Sequence, residues 1–88
     1  MRSYHFYEEY SSLEEMLDAC ALNNLEYWDE LCESNPSVAK LRNLAALYHR
    51  YDKEIVKQYS KTMKINPQSM EATSLYLSYL MNVGINLR

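Results

Sequence analysis

Between Ser37 and Asn66 the chain contains neither glycine nor proline. No residue in that stretch ends a helix by its own conformation. Across it Val38, Leu41, Leu44, Ala45, Tyr48, Tyr51, Ile55, Tyr59 and Met63 recur every three or four residues, the spacing of one helix face. The pattern predicts a helix of about 28 residues, roughly 42 Å at 1.5 Å per residue. That is long for a chain of 88 residues. The helix either projects beyond the body or breaks near His49-Arg50-Tyr51-Asp52, and a continuous or gently bent form is favoured. One glycine and two prolines in the whole chain are too few for the turns of an all-β fold. Hydrophobic residues make up 48%, enough for a core and against a disordered acidic tail. No apolar run approaches the roughly 20 residues of a membrane span.

The expected fold is therefore all-α: a small bundle of about four helices with a long third helix, in one domain. Residues 1–11 read as an aromatic arm or a short helix, 12–83 as the helical body and 84–88 as a tail. Ser12-Leu13-Glu14-Glu15 has the form of a capping box, predicting a first helix over about 12–22. Asn23-Asn24 suits its end, because Asn tolerates the left-handed C-terminal position. A second helix over about 25–33 would bury Leu25, Trp28, Leu31 and Cys32. Asn35-Pro36 and Asn66-Pro67 each read as a cap followed by the first helical residue, starting the third helix and a fourth over about 67–83. Leu75 to Met81 is apolar nearly all round, so that helix should be central or packed on another subunit. Gly84 is placed to cap it.

The two Asn-Pro starts invite a test for repeats. Tyr51-Asp52-Lys53-Glu54-Ile55, Tyr59, Ile65-Asn66-Pro67 and Glu71-Ala72 superficially look like a tetratricopeptide unit. That unit is about 34 residues long, wants a small residue where Ile55 stands and needs a turn near residue 50. Here the helical pattern runs through residue 50, and the Trp-Leu-Gly-Tyr signature positions are unfilled. On those criteria the likeness is coincidental and no family is assigned.

Charge is divided along the chain. Residues 1–35 carry nine carboxylates against Arg2 alone, and residues 36–88 carry eight Lys and Arg against three carboxylates. Arg50, Lys53, Lys57, Lys61 and Lys64 follow at steps of three and four, one stripe of the long helix. Three readings of the stripe are open. It is a solvated face partly neutralised by the acidic helices, where each pair adds about 0–1 kcal/mol. It docks an acidic protein surface, or acidic and basic ends of two copies meet. Or it tracks phosphates with tyrosines stacking beside it, although no helix-turn-helix or RNA-binding signature accompanies it.

Catalysis finds no support. A single glycine rules out a glycine-rich phosphate loop, and GxSxG, HExxH and CxxC are absent. Adjacent carboxylates such as Glu14-Glu15 point about 100° apart on a helix. Cys20, Cys32, His5 and His49 could form a zinc site only by long-range coincidence. Both cysteines read as reduced, small apolar residues on helix faces. The expectation is a non-enzyme without metal or cofactor. The N-terminus lacks the basic start and apolar stretch of a signal peptide, so a cytoplasmic protein is expected.

Nine tyrosines exceed what a core of this size hides with satisfied hydroxyls, and Tyr, Trp and Met favour interfaces. Tyr4, Tyr7, Tyr10, Tyr76 and Tyr79 supply candidates for the exposed set. Tyr76, Tyr79, Met81, Tyr48, Tyr51 and Tyr59 are the candidate partner-binding residues. The favoured function is a small helical protein that binds another protein, as an adaptor, inhibitor or assembly subunit of the kind a virus or phage encodes, and that self-associates, for instance as a homodimer. The alternative is a nucleic-acid-binding protein using the basic stripe.

Overall fold

The computed structural model describes residues 2–81, with side chains from His5 onward. Three helices are present among them: α1 (Arg2–Leu31), α2 (Val38–Ile65) and α3 (Met70–Tyr79). No described residue lies in a strand. The all-α class and the uninterrupted long helix stand. The count of four does not, because the two helices expected over 12–33, together with the aromatic arm, are one helix.

The physical reason is a continuous seam. Along α1, Phe6, Tyr10, Leu13, Leu17, Cys20, Asn24, Tyr27 and Leu31 alternate steps of four and three. Along α2, Leu41, Leu44, Tyr48, Tyr51, Ile55, Gln58, Thr62 and Ile65 alternate steps of three and four. This is the repeat of a two-stranded coiled-coil seam. The helices run antiparallel in one register. Gln58 Nε2 donates to the Glu9 carbonyl at 3.0 Å and to its carboxylate at 2.8 Å, Asn23 Nδ2 donates to the Leu44 carbonyl at 3.0 Å, and the Ser37 amide donates to Glu30 at 2.7 Å. Between these pairs both helices advance by two heptads and then by one. Asn23 does not end α1. Its amide is used across the hairpin, which offsets the few tenths of a kcal/mol by which Asn disfavours a helix interior.

The seam also relocates the face expected over 25–33. Leu25 and Trp28 lie off the seam and are exposed, Leu31 at the open end of the seam is 38% exposed, and Cys32 lies exposed past the helix end. Val38 is exposed as well. The supposed arm is the first turns of α1, where Phe6 is buried and stacks on Tyr10 with ring centroids 5.8 Å apart. Ser12 sits inside the helix rather than at its start.

Both Asn-Pro pairs occupy connecting loops, and a serine just beyond each performs the capping. Ser37 Oγ accepts from the Lys40 amide at 3.2 Å, and Ser69 Oγ from the Ala72 amide at 3.1 Å. Asn35 is not a cap. Asn66 closes the C-terminus of α2, its amide donating to the Thr62 carbonyl. Pro36 and Pro67 precede the caps where a helix cannot pass, and Pro67 sits in a turn closed by the Ser69 amide on the Asn66 carbonyl at 3.2 Å. We expect Ser69→Ala to lower stability by about 1 kcal/mol and Asn35→Ala to leave it unchanged. Urea unfolding of the two variants checks this, and equal effects would refute the assignment.

Leu13, Leu17, Cys20, Ile55 and Tyr79 form the core, at the place where α3 lies against both long helices. The molecule is a rod, 53 × 18 × 14 Å, with a radius of gyration of 14.9 Å. A compact domain of this length would have about 12 Å. The described part of α3 is ten residues against the 30 and 28 of the hairpin. The C-terminal part of the predicted fourth helix, its Gly84 cap and the tail 84–88 lie outside the described residues.

Candidate protein-docking surface

The outer side of α3 follows from its inner side. Ala72 and Tyr79 are buried, and Leu75 and Tyr76 pack half-buried on the core. A helix that buries those positions must turn the intervening ones outward. Met70, Leu77 and Met81 share the outward stripe, at 77%, 52% and 66% exposure, with Leu80 beside them. Val56 of α2 is also exposed. Of the two settings expected for this helix, the central one is not found: it lies on the flank of the hairpin, with an apolar face that no described residue covers. Single exposed apolar residues are ordinary, whereas a contiguous set marks an interaction surface.

The tyrosines divide differently from the expectation. Tyr79 is 6% exposed, and its hydroxyl donates to the Asp52 carboxylate. Burial first, and that hydrogen bond second, push its pKa far above the usual tyrosine value. It is a core residue, with little surface left to offer a partner. Tyr76 is half-buried and stacks on Tyr59, with ring centroids 4.1 Å apart and planes 12° from parallel. Burial raises its pKa too, with Asp52 and Tyr59 adding to the effect. Tyr48 and Tyr51 are half-buried against the core. Of the six expected partner residues Met81 is exposed, and Tyr48, Tyr51, Tyr59 and Tyr76 show partial edges. Of the tyrosines expected outside, Tyr7 is exposed and Tyr10 half-buried. Burial raises the Tyr10 pKa, with Glu14 and Glu71 adding to it. Tyr4 lies outside the described side chains. The sequence reading missed Met70, Leu77 and Leu80. A run apolar on all sides carries no signal of which side is left open.

Beyond Tyr79 the valley between the long helices continues as a groove of about 110 Å³ lined by Asn24, Tyr27, Leu44, Ala45, Tyr48 and His49. The Oδ1 atom of Asn24 is buried without a hydrogen-bond partner. Trp28, one residue beyond Tyr27, is 41% exposed and contacts its ring edge-on.

The basic stripe lies elsewhere. Arg50, Lys53, Lys57, Lys61 and Lys64 are all exposed. Arg50, Lys53 and Lys57 line a shallow groove of about 360 Å³ with Leu47, Tyr51 and Glu54. Lys61 meets Glu9 at 3.5 Å and Lys57 meets Glu54 at 3.9 Å. The Gln58 amide, and then Lys61, hold the Glu9 carboxyl below the usual range against the opposing effect of burial. At the loop end the Ser37 amide, together with Lys40 at 3.3 Å, holds Glu30 low in the same way. The acidic helix therefore neutralises part of the stripe.

Cys20 is buried and its thiol pKa is raised, by burial first, while a hydrogen bond with Tyr79 opposes the rise. Among the described residues no group of three or more His, Cys, Asp and Glu is placed to hold a metal ion. No described helix is long and apolar enough to cross a membrane.

The family described as "TmcB, TPR repeats" matches residues 1–86, nearly the whole chain. No curated protein and no solved structure matches. The match corrects the dismissal of the tetratricopeptide likeness. The stretch that carried it, Tyr51 to Ala72, folds as the end of α2, the Asn66-Pro67 loop and the start of α3. Ile55 and Tyr59 pack there against α3. The criteria that excluded it assumed short paired helices with a turn near residue 50, whereas α2 passes through that point unbroken and Ile55 fills the space between three helices. Helical repeats of this type stack helix on helix and offer extended surfaces for binding other proteins. The chain thus belongs to the TmcB family of tetratricopeptide repeats, a class of helical protein-interaction modules.

Proposed function

We propose that the chain is a non-catalytic protein-binding module that receives an amphipathic helix of a partner protein on the outer face of α3. The observation that carries this is the apolar stripe of Met70, Leu77 and Met81 with Leu80 at its side. In stacked helical repeats each helix covers its neighbour. The outer face of α3 is covered by no described residue, and a helix with its own apolar stripe is the chemistry that fits it. Aliphatic and methionine side chains make this contact, with the half-buried Tyr76 offering only an edge. An adaptor, inhibitor or assembly subunit acting in the cytoplasm is the role such a module fits.

The test uses the wild-type protein, Leu77→Glu and Lys57→Glu as baits in lysate at low salt. A stoichiometric protein retained by wild type and Lys57→Glu, and lost at least about tenfold with Leu77→Glu, is expected, since a charge in an apolar contact is not compensated. Capture indifferent to Leu77→Glu, or no protein captured, would overturn the assignment. Nucleic acid that elutes between about 50 and 200 mM salt would transfer the function to the basic stripe.

A further inference from the structure

The outer faces of the two long helices are opposite in charge, alike in order and equal in overall span. On α1, Glu8, Ser11, Glu15, Asp18, Leu22, Leu25 and Asp29 form one exposed stripe at steps of three and four. It points away from the seam residues Leu13, Leu17 and Cys20. On α2, Leu47, Arg50, Lys53 and Lys57 border one groove, and Lys64 extends that side by two more turns. Read from opposite ends, the first stripe runs Glu8, Glu15, Asp18, Leu25 and the second Lys64, Lys57, Lys53, Leu47. The steps are seven, three and seven against seven, four and six, so the two runs cover the same length with a shift of one residue at two places. Leu25 and Leu47 are both exposed.

We propose that copies of this chain stack through these faces, the acidic stripe of α1 in one copy lying antiparallel on the basic stripe of α2 in the next. Glu8 then faces Lys64, Glu15 faces Lys57, Asp18 faces Lys53, and Leu25 meets Leu47. Glu54, the one carboxylate on the basic side of the contact, is already held by Lys57 at 3.9 Å. The arrangement repeats between molecules what the hairpin does within one, where Glu9 meets Lys61 and Glu30 meets Lys40. It relieves the like-charge repulsion that each outer face otherwise carries. The two faces differ and lie on different helices, so the contact is head-to-tail. It does not close as a dimer, and copies add in rows. Exposed ion pairs contribute little each, so the association is weak and salt-sensitive. It uses neither α3 nor the docking face above, and it stands or falls apart from that reading.

Sedimentation of the purified chain tests it. At about 20 mM salt the average mass should rise at least about twofold between roughly 10 and 500 µM, and return to the monomer value near 500 mM, where charge is screened within a few Å. Glu15→Lys with Asp18→Lys makes both faces basic, and Lys53→Glu with Lys57→Glu makes both acidic. Each double variant alone should stay monomeric, and the two mixed should associate one to one. All four positions are exposed, and unchanged helical melting of each variant verifies its fold. A wild type that stays monomeric at low salt, a variant that associates as wild type does, or a mixture that does not pair would each overturn the proposal.

Discussion

Leu13→Ala is expected to remove about 2–5 kcal/mol of stability, the range for a fully enclosed leucine whose cavity only partly collapses. Leu13 has no exposed surface and sits where α1, α2 and α3 meet, beside Leu17, Cys20, Ile55 and Tyr79. A domain of this length has roughly 4–13 kcal/mol in all, so one substitution consumes a large share. In thermal unfolding followed by helical signal, the midpoint should fall by at least about 10 °C. Leu25→Ala is the control. Leu25 is on the same helix but 60% exposed, and its loss should stay within about 0.5 kcal/mol in the monomer. Similar losses for the two leucines would refute the packing described.

Tyr79→Phe carries the second large effect, and it depends on pH. At neutral pH it removes the donor to the Asp52 carboxylate, at a cost of about 1–3 kcal/mol for a hydrogen bond to a charged group. The folded state favours the neutral phenol, through burial and then that hydrogen bond, and raises its pKa above the ordinary 10.0. A raised pKa means that the unfolded chain releases the proton first. The stabilisation is complete below pH 10 and is lost as pH rises above it, at about 1.4 kcal/mol per pH unit for one such group. The Cys20 thiol, raised by burial from 9.0, begins to contribute about one unit earlier. Wild type should therefore lose stability steeply on the alkaline side. Tyr79→Phe, weaker at pH 7, should lose less with each further unit. Urea unfolding from pH 7 to 11 measures both limbs, and parallel curves would show that Tyr79 is not the group responsible.

The sequence by itself determined the helical class, the unbroken helix between the two Asn-Pro pairs and the division of charge between the halves. Each is a local property. Backbone breakers, a period of three to four residues and a count of charges depend on no distant contact. The α1 seam was equally present in the spacing from Phe6 to Leu31, but Asn23-Asn24 hid it. Whether an Asn ends a helix or bridges to another is settled by a partner such as the Leu44 carbonyl, 21 positions away. The cap positions were misread by a few residues for a similar reason. Asn-Pro and Ser are both start signals, and the choice between them depends on where the loop lets the helix begin.

The candidate surface was the least legible part. Leu75 to Met81 is apolar on every side, so its pattern does not distinguish the face that covers Ile55 and Cys20 from the face left open at Leu77 and Met81. The tertiary structure decided that, by laying one short helix on the flank of a long hairpin. The same placement took Tyr79 inside and left Trp28 at the surface. Side chains of similar chemistry acquire opposite roles because burial is a property of the neighbours a residue meets, and for Tyr79 those neighbours stand from 24 positions away, at Ile55, to 66 positions away, at Leu13.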